Sequence, residues 1–293
     1  MNCPGHVQIF NAGSVSYRQL PLRLAEFGCC HRNEPSGALN GMFRVRQFVQ
    51  DDAHIFCEPH QIESEIKAFC VMLDEVYNRF GFTEYEVAVS LRPDDRSGDE
   101  ALWDQAEESL IKVVEDLGLP YRLLPNEGAF YGPKLEFSLK DSLGRSWQCG
   151  TVQLDFVLPE RLGARYTGSE NQVHTPVMIH RAILGSLERF IAILLEHYSG
   201  KLPDWLSPCQ IGFIPICDNH REWCDEIGKE IGARFEIDDR DQPVQQRVKE
   251  FAERAIPNII VVGDRELTSG TFPVRRGMAV TNLTIEELRS LLN

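Results

Sequence analysis

The sequence predicts two domains of different build: an α+β domain over residues 1–203 and a small α/β domain with a mainly parallel sheet over residues 204–293. Three observations carry this. Between residues 27 and 56 two strand-like runs flank a connection concentrated in Pro, Ser, Asn and Gly, the pattern of an antiparallel pair. Residues 199–208, SGKLPDWLSP, are rich in Pro, Gly and Ser and mark a boundary. Beyond it strand patterns alternate with helix patterns, as in a sheet whose strands are joined by helical crossovers.

Composition sets outer limits. The chain of 293 residues is long enough for two domains, and 43% hydrophobic with 25% charged residues is ordinary globular usage. No apolar run reaches membrane-spanning length and the N-terminus lacks a signal-peptide plan, so no membrane partner is expected. Nine cysteines at irregular spacing argue against a disulfide scaffold and for a reducing, cytoplasmic setting. The formal net charge of −14 lowers the expectation of a nucleic-acid partner without removing it, since a local basic patch suffices. Any RNA contact on such a chain should be strongly salt-sensitive.

In order, the chain starts MNCPGH, a cysteine followed by the turn-forming pair Pro4-Gly5. Taken alone, Cys3 reads as a buried thiol. Residues 7–27 end in PLRLAEFG, which feeds the hairpin. There Arg32 and Glu34 share a face if they lie on a strand, Arg44 and Arg46 do likewise, and Gln50, Asp52 and His54 continue an alternating polar series. So many polar groups aimed one way suit a pocket for something anionic, phosphate first, because a guanidinium binds it bidentately. A solvated hairpin with charge pairs is the other reading of the same spacing.

Residues 62–80 carry Ile62, Ile66, Phe69, Leu73 and Val76 at helical spacing, and Gly81 closes the helix. Residues 85–91 read as a strand and 101–117 as a second helix ended by Gly118-Leu119-Pro120. Packing alone explains these. In the next stretch Gly128, Gly132 and Pro133 bracket Tyr131 in a tight bend, and Lys134 and Glu136 alternate on the strand that follows. Gln148, Thr151, Gln153 and Asp155 punctuate another strand, and an edge hairpin with solvated side chains fits this segment nearly as well. Residues 177–198 read as a strand entering a long apolar helix with Gly185 and Ser186 at its start, a plausible phosphate seat to which Arg189 could add a cation. An arginine near a helix start also commonly points to water. Past the boundary, strands at 210–216, 233–237 and 258–262 alternate with helices at 220–231 and 244–255. A hairpin through Arg275 and Arg276 then precedes a last helix at 284–292.

The run HRNEPSG followed by FRVRQFVQDDAH resembles the second signature motif of class II aminoacyl-tRNA synthetases, and AILGSLERF resembles the third. With MNCPGH and PVMIHRAILGSLERF, the resemblance is to the threonyl-tRNA synthetase family and covers nearly the whole chain. It implies an α+β catalytic domain on an antiparallel sheet followed by an anticodon-binding α/β domain. The partners it implies are ATP, L-threonine and tRNA(Thr), with threonine activated to threonyl-adenylate and then passed to the 3′ end of the tRNA. By the same resemblance Arg32 meets the α-phosphate and Arg189 the γ-phosphate. Glu34 accepts from the adenine amino group, Phe48 stacks on the ring, and Arg44 and Gln148 complete the ATP pocket. Asp52 and Tyr131 orient the amino acid, with Gln50, Lys134 and Gln153 lining its pocket.

Spacing alone would never nominate Cys3, His54 and His180, but each sits in a family-like motif, and there the family binds one zinc ion with one Cys and two His. Three protein ligands leave a fourth position open for substrate. A grouping of Cys29, Cys30, His31 and Cys57 is the rival, weakened because adjacent cysteines chelate poorly. Magnesium (Mg2+) is expected with ATP. The resemblance places RNA contacts on or beside the late hairpin, at Arg265, Glu266, Arg275 and Arg276, which a solvated charged turn explains about as well. Family members carry a first signature motif and much of a homodimer interface before MNCPGH, so the sequence reads as a fragment or a short relative. Competing functions are a non-catalytic paralogue acting as an RNA-binding regulator, and an ATP-dependent ligase acting on a protein or small molecule.

Overall fold

A computed structural model describes residues 2–292, and its chain divides into two compact units between Leu194 and Leu195. Each unit follows from its own sequence pattern.

The first unit opens with α1 (Cys3–Asn11), so Pro4-Gly5 is not a turn. Proline falls in the first helical turn, where its missing N–H has no intrahelical partner to lose. The helix buries Cys3, His6, Val7 and Phe10. After β1 (Val15–Ser16), β2 (Leu22–His31) pairs antiparallel with β3 (Gln47–Cys57) from Leu22 opposite Phe56 to His31 opposite Gln47. The expected hairpin is therefore present. The charged residues expected to share a strand face are not on the strands, however: Arg32, Glu34, Arg44 and Arg46 lie in the connection, which is closed by the Arg32 amide donating to the Arg46 carbonyl at 2.8 Å.

Then come α2 (Ile62–Arg79), β4 (Glu86–Ser90) and α3 (Glu100–Asp116). Helix α2 buries Ile62, Ile66, Phe69 and Leu73 as its spacing predicts, with Tyr77 rather than Val76 completing the stripe. Helix α3 is capped by the Asp99 carboxylate, which accepts from the Ala101 amide. The remaining elements are β5 (Tyr121–Leu124), β6 (Lys134–Lys140), β7 (Ser146–Asp155), α4 (Leu158–Arg161), β8 (Tyr166–Thr167), β9 (Val173–His174), β10 (Val177–Ala182) and α5 (Leu187–His197).

A seven-stranded sheet runs β2-β3-β10-β7-β6-β4-β5. Every neighbour pair is antiparallel except β4 with β5, an edge pair that the sequence did not disclose. Register explains how distant residues meet. Leu24 faces His54, His54 faces His180, His180 faces Gln153, Gln153 faces Lys134, and Lys134 faces Ser90. Directly opposed residues project from the same side of a sheet, so His54, His180, Gln153 and Lys134 form one row on one face. On β7 the alternate residues Val152 and Leu154 are buried on the other side.

The second unit contains β11 (Ile211–Pro215), α6 (Asn219–Ile231), β12 (Phe235–Ile237), α7 (Val244–Glu253), β13 (Asn258–Val262), α8 (Asp264–Ser269), β14 (Phe272–Arg276), β15 (Ala279–Leu283) and α9 (Ile285–Leu292). Its five-stranded sheet runs β12-β11-β13-β14-β15. The first three strands are parallel and the last two are added antiparallel, so the sheet is evenly mixed rather than mainly parallel. Ile211, Phe213, Ile260, Phe272 and Leu288 are among the residues of its core. Helix α8 is an addition to the sequence reading.

Candidate active site

Two neighbouring constellations occupy the first unit. One is a pocket lined by Arg32, Glu34, Arg44, Phe48, Gln50, Gln148, Thr151, Gly185, Ser186 and Arg189. The Arg32 guanidinium lies over the Phe48 ring, 5.2 Å from its centroid, and has no ion-pair partner among the described residues. Arg189 donates through Nε to the Phe43 carbonyl at 2.8 Å and through a terminal nitrogen to the Gln148 carbonyl at 2.7 Å. Its guanidinium also lies over the Trp147 ring at 5.4 Å. Burial lowers the Arg189 pKa from the usual guanidinium value, with the nearby Arg32 and Arg44 adding to the shift and Cys149 and Glu34 opposing it. Arg44 differs: it is paired with Glu34 at 2.9 Å. Arg46 donates to the Glu34 carbonyl at 2.9 Å and so braces the same loop. Two guanidiniums at one pocket, neither with an ion-pair partner among the described residues, are the electrostatic signature of an anion site.

The start of α5 is set by β3. Asp51 accepts the amide hydrogens of Ile183, Leu184 and Gly185 at 2.7, 3.0 and 2.8 Å. Glu188 accepts the Val49 amide at 3.1 Å and the Ser186 hydroxyl at 3.0 Å. Gly185 has φ +71°, and a Cβ there would lie 2.5 Å from the Cys149 carbonyl oxygen, so this turn requires glycine.

The second constellation is metal-like. Cys3, His54 and His180 are all buried, and their ligand atoms lie within 4.8 Å of one another. The His54 Nδ1 is 2.7 Å from the His6 Nδ1, while its Nε2 is buried without a hydrogen-bond partner. The His180 Nε2 is 2.8 Å from Asp155 Oδ2. Holding one nitrogen of each imidazole by a neighbour is how ligating histidines are oriented. Burial, with His180 and His6 nearby, pushes the His54 pKa down to about 2, which keeps the ring neutral as a ligand must be. Burial opposes protonation of His180, but Asp155 and the Cys3 thiol outweigh it and raise its pKa to about 9, so positive charge is favoured there. A soft thiol, two oriented imidazoles and an orphaned buried nitrogen fit zinc. The rival group does not form: Cys29 and Cys30 are neighbours on β2 and project to opposite faces.

The remaining residues predicted from sequence lie on β3, β6, β7 and the bend before β6. Asp52 is buried, with burial raising its carboxyl pKa and Oδ2 left without a hydrogen-bond partner. Tyr131 donates to Gln153 Oε1 at 3.0 Å, and Lys134 is ion-paired with Glu136. Gln50 is buried and bridges to Ser186 through the backbone.

Sequence reasoning missed His6, Asp51, Trp147 and Glu188, and named Asp155 without a role. His6 was legible in principle: on a helix it lies three residues from Cys3 and shares its face, but the Pro-Gly pair was read as a turn. In the second unit, Arg265 and Arg275 are exposed. Glu266 is occupied in accepting the Gly263 amide at 2.9 Å, and Arg276 is paired with Asp204 at 2.8 Å.

Residues 1–198 match the tRNA synthetase class II core domain (G, H, P, S and T), and residues 210–293 match the anticodon binding domain. The chain belongs to the class II tRNA synthetases. A threonine–tRNA ligase of Dichelobacter nodosus (strain VCS1703A) is 53% identical over 301 residues, covering 100% of this chain and 47% of that protein. The solved RNA binding domain of threonyl-tRNA synthetase from Cryptosporidium parvum Iowa II is 40% identical with a TM-score of 0.92, covering 99% of this chain and 76% of that one. Within the class the chain therefore falls with the threonyl-tRNA synthetases. A prolyl-tRNA synthetase from Cryptosporidium parvum, complexed with L-proline and AMP, shares the fold at 18% identity and a TM-score of 0.67, covering 97% of this chain and 57% of that one. The chain thus spans about half the length, 47%, of that Dichelobacter nodosus relative.

Proposed function

We propose that the chain is a threonine–tRNA ligase, with a catalytic domain over residues 1–203 and an anticodon-binding domain over 204–293. The observation that carries this is one sheet face holding both a buried Cys/His/His cluster and a pocket with two guanidiniums that have no ion-pair partner among the described residues. ATP enters the pocket. Phe48 gives the adenine an aromatic seat, Glu34 accepts from its amino group, and Arg44 and Gln148 line the cleft. A threonine carboxylate oxygen attacks the α-phosphorus and pyrophosphate leaves. Arg32 neutralises charge on the α-phosphate as that bond forms, and Arg189 holds the terminal phosphate in line. Such a step needs positioning and charge neutralisation more than covalent help. Mg2+ accompanies the nucleotide.

Cys3, His54 and His180 would hold one Zn2+, which would supply a Lewis acid for the amino and hydroxyl groups of threonine and so disfavour the nearly isosteric valine. Asp52 and Tyr131 orient the amino acid, with Gln50, Lys134 and Gln153 around it. A hydroxyl of the terminal ribose of tRNA(Thr) then takes the acyl group from the adenylate, the acyl–phosphate bond breaks and AMP leaves. Of the late-hairpin candidates, Arg265 and Arg275 have no ion-pair partner among the described residues and would meet the tRNA phosphates. The reading carries with it the family's homodimer and a cytoplasmic location. Threonine-dependent exchange of pyrophosphate into ATP tests it. Absence of signal from zinc-loaded protein would move the assignment to an RNA-binding regulator without catalysis.

A further inference from the structure

We propose that Cys217 is a nucleophilic thiol served by His220 and Asp264, and that its substrate is a small-molecule disulfide, with which it forms a mixed disulfide. Cys217 is exposed between β11 and α6. Its sulfur lies 3.3 Å from His220 Nδ1 and 3.7 Å from Nε2. The His220 Nε2 is 3.0 Å from Asp264 Oδ1 at the first residue of α8. The His220 amide donates to the Cys217 carbonyl at 3.0 Å, and that turn brings thiol and ring together. His220 is 3% exposed, so its ring is held in place rather than free to swing into water. Nucleophile, base and a third group orienting the base is the arrangement that activates a thiol.

The other cysteines lack these features. Burial pushes the thiols of Cys57, Cys70, Cys149 and Cys224 up to about 12. Burial also raises Cys30 and Cys209, and Cys3 belongs to the metal-like cluster. Cys29 is exposed, but its polar contact is the Gln47 amide group at 3.5 Å, which is no base. In the reaction the Cys217 proton moves to His220 and the thiolate attacks one sulfur of R–S–S–R. The Cys217–S–S–R bond forms and the original disulfide bond breaks. R–S⁻ departs with the electron pair and takes the proton from the imidazolium.

The test treats the folded full chain, zinc-loaded, with oxidised glutathione, and locates adducts by mass spectrometry of intact protein and peptides. One adduct on Cys217 is expected, reversed by dithiothreitol, forming roughly tenfold or more faster than any on Cys29. His220→Gln should slow it by roughly 100-fold or more, the scale of a lost base. Asp264→Asn should slow it severalfold; that side chain is 99% exposed, so the fold does not depend on it and this variant decides the matter if His220→Gln fails to fold. Hydroxyethyl disulfide, uncharged, should give the same order of sites. Modification of Cys29 at an equal or greater rate with either probe, or an unchanged Cys217 rate in folded Asp264→Asn, overturns the proposal.

Discussion

The Asp51 carboxylate accepts the Gly185 amide hydrogen at 2.8 Å, tying the middle of β3 to the turn that starts α5. Ile183 and Leu184 donate to the same carboxylate, so one side chain organises three consecutive amides. Burial raises the Asp51 pKa, and those three donors oppose the shift by favouring the ionised form. Arg189 lies one helical turn beyond this clamp. Asp51→Ala should therefore destabilise the first unit by about 1–3 kcal/mol, the cost of leaving buried donors unpaired. It should also raise the KM for ATP in the exchange assay, because Arg189 loses its fixed origin. Asp51→Asn, which keeps one acceptor oxygen, should fall between. Denaturant midpoints and ATP dependence matching wild type in both variants would contradict the clamp.

Arg32 tests the anion pocket. Its guanidinium is stacked on Phe48 at 5.2 Å and lies at an exposed loop position, so its removal should spare the fold. Arg32→Ala should lower threonine-dependent exchange by about 100-fold or more, the scale seen when a transition-state donor is lost. Arg32→Lys should not rescue, since a compact ammonium replaces neither the bidentate fork nor the stack. Exchange near the wild-type rate in the lysine variant would remove Arg32 from the α-phosphate.

How much of this was legible depended on whether the signal was local. Alternation in QFVQDDAH and apolar spacing on α2 are local, and both emerged where predicted. The parallel partner of β4 was not, because YRLL carries no mark of which strand it joins. Spacing alone could not have joined Cys3, His54 and His180. The family resemblance grouped them, and the register of β3 against β10 then put the two histidines side by side. Asp51 escaped notice for a related reason: it sits beside Asp52, whose polar series was taken as the functional face, while Asp51 points the opposite way, toward the α5 turn. Arg276 and Glu266 looked like free surface charges until Asp204 and the Gly263 amide claimed them.

Acid should loosen the turn between β6 and β7. Burial works against ionisation of Asp141, but hydrogen bonds from the Trp147 indole and from Arg145 outweigh it and hold its pKa at about 2, below the ordinary 3.8. A folded-state pKa lower than the unfolded value stabilises above the unfolded value, and the contribution is lost as pH falls through the folded one. The window is therefore from about pH 4 down to about pH 2. Trp147 stacks on Phe43 at 4.9 Å and lies under Arg189, so the same carboxylate steadies one wall of the anion pocket. Asp141→Asn should be less stable than wild type at pH 6, and the difference should shrink toward zero near pH 2. A gap that is constant across that range would show that the Asp141 charge contributes nothing.

Zinc content is the most direct check of the Cys/His/His cluster. One zinc per chain is predicted in freshly purified protein, held by the Cys3 thiolate and the His54 and His180 imidazoles. Cys3→Ala should lose most of it, because a soft ligand is replaced by none. His6→Ala removes the partner 2.7 Å from His54 Nδ1 and should weaken zinc affinity by roughly 10–100-fold while leaving every ligand in place. Threonine binding should fall in step with zinc content in both variants. Valine binding should not, since valine lacks the hydroxyl through which a metal could discriminate. A chelator should reproduce the loss in wild-type protein and added zinc should restore it. Wild-type protein that contains no zinc and takes none up on titration, yet binds threonine normally, would end the assignment.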